Sequence, residues 1–565
     1  MASETGYMGI IEEFDVEVPM RDGVILRANV FRPAGPGRFP GLLVRTPYGK
    51  GKGGYARQVR AGYAVLVMDT RGRYASDGEY ANFVVEHTGD AEDGYDSVQW
   101  LAEQPWCDGN VGTLGASYGA WMQWQLARLR PPSLRAMCAS TIPLEITGVD
   151  WWGSFRPGRR LKWWMTTIAP DLRRRAGMPP PHTPAEAVEI WDQVEQGRWL
   201  HMLPLADFCD FLPEPLASQA REWMHDPGKP VWKFAEAHAE IEVPNLDFSG
   251  YFDHCNESML HLPGMQRNAR TALAREQTKL IIGPYNHGGF GKRKFGDIDF
   301  GPQAEFDQTD IMLRWFDHWL KGLDNGVEGE PACRYLVMGS AEWKSASTWP
   351  PEGLEEAVYF VGRNGGDVSG PGPGTLDADG PSGDEPDEYT YDPRDPTPTL
   401  WTTALFTLPS DRRKLEYRSD ILYYRTPPLE REVEVVGYPE VVLYASSSAP
   451  DTDFFARLVD EDPEGIALEV CYGMVRARHR NSWQREELIT PGEVVEYRIK
   501  LGATACRFLK GHRIRLEICS ADFPNHDRNH NTGGNDLLET RLVPAHQRVL
   551  HSAEHPSRLI LPISP

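Results

Sequence analysis

The chain has 565 residues, with 59 Lys and Arg against 81 Asp and Glu and a formal charge of −22 at pH 7. That excess of acid argues against nucleic acid or an anionic membrane as a partner and leaves small soluble molecules as the expected ones. At ~100 to 200 residues per domain, the length predicts two or three domains.

No apolar run approaches the ~20 residues of a membrane span. Met1 to Glu13 offer no basic start followed by an apolar core, so no secretory signal is expected either. The cysteines are scattered without C-x-x-C pairs, which favours free thiols in a cytoplasmic protein over zinc ligands or disulfides.

Phe14 to Val18 and Val24 to Val30 alternate apolar and polar residues around Arg21-Asp22-Gly23 and predict a β-hairpin. Gly41 to Val44 and Ala64 to Met68 are short apolar strands; the first ends in the loop Arg45-Thr46-Pro47-Tyr48-Gly49-Lys50, the second in Asp69-Thr70-Arg71-Gly72. Asp90 to Gln104 has helical spacing. Val111 to Leu114 then reads as a strand and Ala120 to Ala127 as a helix, and between them lies Gly115-Ala116-Ser117-Tyr118-Gly119. This run fits G-x-S-x-G, a strand-to-helix turn in which the two glycines leave room for strained backbone and the serine hydroxyl is pushed into the open. Leu134 to Ala139, Leu246 to Tyr251 and Lys279 to Gly283 complete a set of short strands alternating with helices. Such a set predicts an α/β domain with a largely parallel sheet covered on both faces.

From roughly Glu145 to Glu240 the character changes to tryptophan, arginine and proline on helical segments, including Trp151, Trp152, Trp163, Trp164, Trp191 and Trp199. A helical insertion there would sit over the strand ends as a cap, with most of its tryptophans in its own core and some lining a pocket. Gly362 to about Thr397 is glycine, proline and acid, and predicts a mobile linker rather than packed structure. Beyond it, Glu440 to Ala445, Phe454 to Val459 and Arg513 to Ile518 alternate as strands of an all-β sandwich.

A serine hydroxyl needs a base within hydrogen-bond reach, and the base needs a third group to orient it. In α/β-hydrolases these follow in the order serine, acid, histidine, on loops after late strands. Asp253 after Gly250-Tyr251-Phe252 and His287 after Gly283-Pro284-Tyr285-Asn286 are so placed. Asp247, Glu257 and Asp297 compete as the acid, and His254, His261 and His238 as the base. His254 is set aside because a neighbour one residue along usually points elsewhere. The backbone N–H of Tyr118 is the first expected oxyanion donor, and the Tyr48 phenol is a candidate second. Asn525 to Asn531, with His526 and His530, reads as a hydrogen-bonded loop rather than a metal site. Gly49 to Gly54 lacks the spacing of a phosphate loop and reads as flexible.

Taken together, the Arg45 to Lys50 run, Asp69-Thr70-Arg71-Gly72-Arg73 with Ser76 and Gly78, the serine elbow, Gly250 to Asp253 and Gly283 to Gly288 resemble the motifs of the cocaine esterase and X-prolyl dipeptidyl peptidase group of hydrolases. The resemblance continues through Arg314 to Gly322, Asp451 to Phe454 and Ser520 to Pro524 and so covers nearly the whole chain. It implies an α/β-hydrolase domain (1–144 and 241–355), an inserted helical cap (145–240), and a linker with a C-terminal jelly roll (356–565). It also implies Ser117, Asp253 and His287 as a triad and Tyr48 as an oxyanion donor, with no cofactor and no metal. The expected substrate is a small-molecule ester, with an amide-cleaving acylase or peptidase and an inactive glycan-binding protein as alternatives; a homo-oligomer is possible. α-Amino acid ester hydrolases of this group resemble one another in carrying acids just after the triad aspartate. Here Cys255 and Asn256 stand there, which leaves Glu257, Asp150 and Glu145 as substitutes for holding a substrate ammonium.

Overall fold

The computed structural model describes residues 9–565 apart from 84–89, 144, 146–147, 150–153, 194–197, 226–236, 296–297, 364–373, 384 and 401–408. The alternating segments near the start form the antiparallel pair β1 (Ile10–Pro19) and β2 (Ile25–Pro33). β2 then pairs antiparallel with β4 (Ala64–Asp69), beside which β3 (Phe39–Thr46), β5 (Cys107–Ala116) and β6 (Leu134–Ser140) run parallel. Every residue of β4 is buried, as a central parallel strand covered on both faces requires. Its alternate side chains serve two cores. Leu66 and Met68 pack with α2 (Glu92–Ala102) and α3 (Tyr118–Arg128), whereas Val65 and Val67 pack with α1 (Ala56–Arg60) and the helix Gln308–Lys321. That last helix starts where the Asp307 carboxylate accepts bonds from the Thr309 and Asp310 N–H groups, and it ends at Gly322 with a φ of 69°.

β7 (Leu246–Gly250), β8 (Lys279–Gly283) and β9 (Cys333–Val337) are again parallel, and β10 (Glu342–Ala346) turns back antiparallel on β9. The two groups of strands meet at a single parallel bridge between Met137 and Asn245, which gives the order β1-β2-β4-β3-β5-β6-β7-β8-β9-β10. This β6/β7 seam is closed mainly by side chains. The Asn245 amide accepts from the Ala139 N–H (2.8 Å) and donates to the Ala139 carbonyl (3.0 Å), and Asp247 accepts from the Thr141 N–H at 3.3 Å. Asp247 is therefore a buried seam residue, and burial pushes its carboxyl well above the ordinary range.

Between β6 and β7 the chain runs through α4 (Gly158–Trp163), one wide π-helical turn (Trp164–Ile168), α5 (Ala169–Arg175), α6 (Pro184–Gln193) and α7 (Leu216–His225). Trp164 and Trp191 are buried in the core of this helical region, Trp163 and Trp199 are half-buried, and Trp151 and Trp152 lie outside the described residues. No helix among the described residues is long and apolar enough to cross a membrane, and all eight cysteines are buried free thiols.

From Glu355 onward the described chain is all-β, as expected of a jelly roll; Asp453–Glu461, for example, lies between Ala467–Arg476 and Arg513–Cys519. The expectation of an unpacked linker over 362–397 needs correction. Gly374–Asp377 pairs with the strand Glu355–Gly362, and Asp387–Tyr391 pairs with Ala545–Leu550, with Asp387, Tyr389 and Tyr391 pointing inward in strict alternation. Two buried tyrosines supply the anchoring area that glycine and proline around them conceal in the composition; residues 364–373 lie outside the described ones.

The ends of the parallel strands β7 and β8 stay paired at close range. Tyr251 N–H donates to the Gly283 carbonyl (3.0 Å) and Phe252 N–H to the Tyr285 carbonyl (3.1 Å), and a Cβ on Gly250 would lie 2.0 Å from that Tyr285 oxygen. Gly250→Ala is therefore expected to lower stability by ~1–3 kcal/mol or more, read as a lower Tm in thermal unfolding. Asp247 gives a second expectation. Folding takes up a proton there, so this group's contribution turns against the folded state as pH rises above the ordinary carboxylate range. Asp247→Asn removes that penalty, and its gain in Tm over the parent protein should be larger at pH 8 than at pH 5.

Candidate active site

Ser117 sits in the turn between β5 and α3 with φ 56° and ψ −122°, a left-handed backbone that a side chain tolerates only when the surroundings enforce it. Its N–H donates to the Ser140 carbonyl of β6, and its own carbonyl accepts from the Ala120 and Trp121 N–H groups, each at 2.9 Å. Of the two elbow glycines only the first is tightly required. A Cβ on Gly115 would approach the Gly119 backbone at 3.3 Å, whereas one on Gly119 would meet the Arg45 carbonyl at an ordinary 3.7 Å. Tyr118 opens α3, so its backbone N–H belongs to the first turn beside Ser117. Its side chain is buried, with the ring stacked on Phe83 at 4.0 Å and the hydroxyl accepting from the Phe83 N–H at 2.9 Å.

The paired ends of β7 and β8 bring two further residues together. His287 Nδ1 lies 2.9 Å from Asp253 Oδ1 and 3.2 Å from Oδ2, and Asp253 Oδ1 also accepts from the Cys255 N–H at 2.8 Å. Asp253 is buried and His287 half-buried. His254 is nearer than sequence reasoning allowed. The turn after β7 folds its ring over that of His287, with centroids 4.1 Å apart, and leaves its Nδ1 3.4 Å from Asp253. Burial, Arg159 and the His287 ring push His254 well below the ordinary histidine range, so it is neutral at physiological pH.

The other candidates are occupied elsewhere. His238 and His261 face each other at 3.0 Å, with His261 stacked on Trp124. Glu257 is ion-paired to Lys500 at 3.1 Å, and Asp297 and Asp150 lie outside the described residues.

Ser117, Tyr48, His254, Cys255 and His287 border one cavity of about 350 Å³. Tyr48 is 38% exposed where it borders this cavity, and partial desolvation of its phenol pushes the pKa up to about 12. Its ring stands edge-on to Trp163 at 6.4 Å. The loop that carries it is less free than its glycines suggest, because Lys50 is paired with Asp69 (2.7 Å) and Asp15 (2.8 Å). The buried Arg73 joins that loop to the cap, donating to the Pro47 carbonyl and to the Ile168 carbonyl of the π-helical turn, both at 2.8 Å.

The cap side of the cavity is α4 and the following turn, through Arg159, Arg160, Trp163 and Thr167. Sequence reasoning noted the arginine-rich composition but had no signal for which arginines face the serine. Nor did it foresee what fixes α4. The Asn525 to Asn531 loop of the β domain docks against the start of that helix: Gly158 N–H donates to the Asn525 carbonyl (2.7 Å), and Arg156 N–H to Asp527 (2.5 Å). Within the loop the Asn531 N–H donates to Asn529 at 2.8 Å, and beyond it Asn529 donates to Asp451 and Asp453 and the His530 N–H to Asp536. Among the described residues, the grouping close enough to hold a metal ion is Asp253, His254, Cys255 and His287, whose ligand atoms lie within 4.8 Å of one another. Two of those four already form the Asp253–His287 bond.

Residues 22–289 match the family model of the X-Pro dipeptidyl-peptidase (S15 family), and residues 325–560 match that of the X-Pro dipeptidyl-peptidase C-terminal non-catalytic domain. The cocaine esterase of Rhodococcus sp. (strain MB1 Bresler) is 34% identical, with 97% of this chain and 98% of that protein covered. Two solved structures share the fold over the whole chain. An aminopeptidase from a marine sediment Thaumarchaeota archaeon has a TM-score of 0.80 at 23% identity, covering 100% of this chain and 98% of its own. An α-amino acid ester hydrolase has a TM-score of 0.81 at 22% identity with the same coverage. With the S15 model on the serine-bearing part and a relative one-third identical from end to end, the chain belongs to the cocaine esterase and X-prolyl dipeptidyl peptidase family of α/β-hydrolases.

Proposed function

We propose that the protein cleaves small carboxylic esters through an acyl-enzyme, with Ser117 as nucleophile, His287 as base and Asp253 as the group that orients the base. The observation that carries this reading is the 2.9 Å His287–Asp253 bond beside a cavity that also receives a serine held at positive φ. With Nδ1–H donating to Asp253, His287 Nε2 is the basic nitrogen. It takes the Ser117 proton as Oγ bonds to the carbonyl carbon, then gives that proton to the leaving oxygen as the alcohol departs. Water attacks the acyl group in turn, yielding a proton to His287 Nε2; the bond from the acyl carbon to Oγ then breaks, His287 returns that proton to Ser117 Oγ, and the carboxylic acid leaves.

Charge on the carbonyl oxygen is met by the Tyr118 N–H and the Tyr48 hydroxyl. A phenol pushed up to about 12 stays protonated throughout the neutral range and so remains a donor. The name of the one-third identical relative, an esterase, supports an ester as the substrate rather than an amide.

Ser117→Ala should lower kcat by ~10⁶-fold with the melting curve unchanged, the scale of loss when a serine nucleophile is removed; turnover near the parent level would rule Ser117 out. Tyr48→Phe should lower kcat by ~10²–10³-fold through loss of one donor, with KM little altered. Measured on 4-nitrophenyl benzoate and benzoyl 4-nitroanilide, kcat/KM should favour the ester. Comparable cleavage of the anilide would reassign the protein to amide substrates.

A further inference from the structure

To act as the base proposed above, His287 must keep one edge of its ring toward Asp253 and the other toward Ser117. The hydrogen bond at Nδ1 fixes one atom and leaves the ring able to pivot about it, so the faces of the ring have to be held by packing. His254 makes such a contact. Its ring centroid lies 4.1 Å from that of His287 at an interplanar angle of 45°, closer than the ~4.5–7 Å usual for aromatic pairs.

The backbone on either side of His254 is pinned. The Asp253 carboxylate accepts from the Cys255 N–H at 2.8 Å, which closes a turn across residue 254. The Asn256 amide then accepts from the Ala503 N–H at 2.7 Å and donates to the Ala503 carbonyl at 3.3 Å. The ring is thus carried on a rigid turn braced by the β domain.

The space around the ring indicates what it prevents. His254 borders the cavity that holds Ser117 and also a second cavity of about 210 Å³, whose walls include Asp253, Glu257, Tyr438, Tyr472 and Lys500. Trimming His254 to Cβ would add the volume of an imidazole to that space beside the Asp253–His287 pair, and the His287 ring would gain room to turn. Because His254 is neutral at physiological pH, it can lie against the His287 imidazolium formed during turnover without adding a repelling charge.

We propose that His254 is a positioning residue, whose ring seats against the face of His287 and keeps Nε2 directed at Ser117 through both proton transfers. This rests on the assignment of His287 as the base and deepens it. The contact that matters is ring on ring, not the 3.4 Å approach of His254 Nδ1 to Asp253.

The test compares three variants on 4-nitrophenyl benzoate, with Ser117→Ala as the blank. His254→Ala removes the ring, His254→Gln keeps a polar side chain without a ring, and His254→Phe keeps a ring without the nitrogens. The Ala and Gln variants should lose ~10–10²-fold in kcat and in kcat/KM together, the scale expected when a reacting group is misplaced by about 1 Å. The Phe variant should restore most of that loss. The downfield proton resonance of the His287–Asp253 bond should stay sharp in the parent and Phe proteins and broaden in the other two, a change that a packing role elsewhere in the fold would not produce. Parent-like kcat in the Ala variant, or a Phe variant as slow as Ala, would overturn the proposal, while Ser117-dependent turnover by the parent leaves the hydrolase reading standing. A parent protein without Ser117-dependent turnover of this ester would overturn both.

Discussion

Two backbone hydrogen bonds between the ends of β7 and β8 set the geometry on which the site depends. They run from Tyr251 to Gly283 and from Phe252 to Tyr285, and Gly250 makes the approach possible because no side chain stands in the gap. Asp253 and His287 are each one or two residues beyond these paired ends, so their 2.9 Å contact follows from the backbone and needs no long-range search by the side chains. The serine is placed with equal economy. Its amide is held by Ser140 on β6, the strand that adjoins β7 across the seam, so the residues that follow β5, β7 and β8 are tied together through β6 between them.

Local chemistry was the most legible part of the sequence. The serine elbow, the strand before it, the helix after it and the late loops that carry Asp253 and His287 each depend on a handful of consecutive residues, and each is where their spacing predicts. What could not be read depends on pairs of residues far apart in the chain. The approach of His254 to His287 requires knowing how the turn after β7 curls, and the place of Arg159 and Arg160 on the cavity wall requires knowing how α4 is docked. The strands at Gly374–Asp377 and Asp387–Tyr391 were hidden for a related reason: their partners are the strands Glu355–Gly362 and Ala545–Leu550, and composition alone reports only their glycine and acid.

The β domain has a larger part in the site than strand counting suggests. Through Asn525 and Asp527 it holds the start of α4, through Ala503 it holds Asn256 just after the acid, and through Lys500 it takes up Glu257. Arg73 does a similar service from the sheet side, joining the Tyr48 loop to the π-helical turn that follows α4. The cavity is thus enclosed by three regions of the chain that share buried cores and brace one another.

The supports of Ser117, Asp253 and His287 and those of the cap side of the cavity are different pieces of structure. Ser117, Asp253 and His287 are suspended from strand ends in the sheet, whereas Arg159 and Arg160 are carried by a short helix pinned from the far end of the chain. Changes in α4 or in the loop that pins it can therefore accumulate without disturbing the strained serine or its partners. An architecture of this kind lets the cap side of the cavity diverge while the residues held at the strand ends are inherited intact.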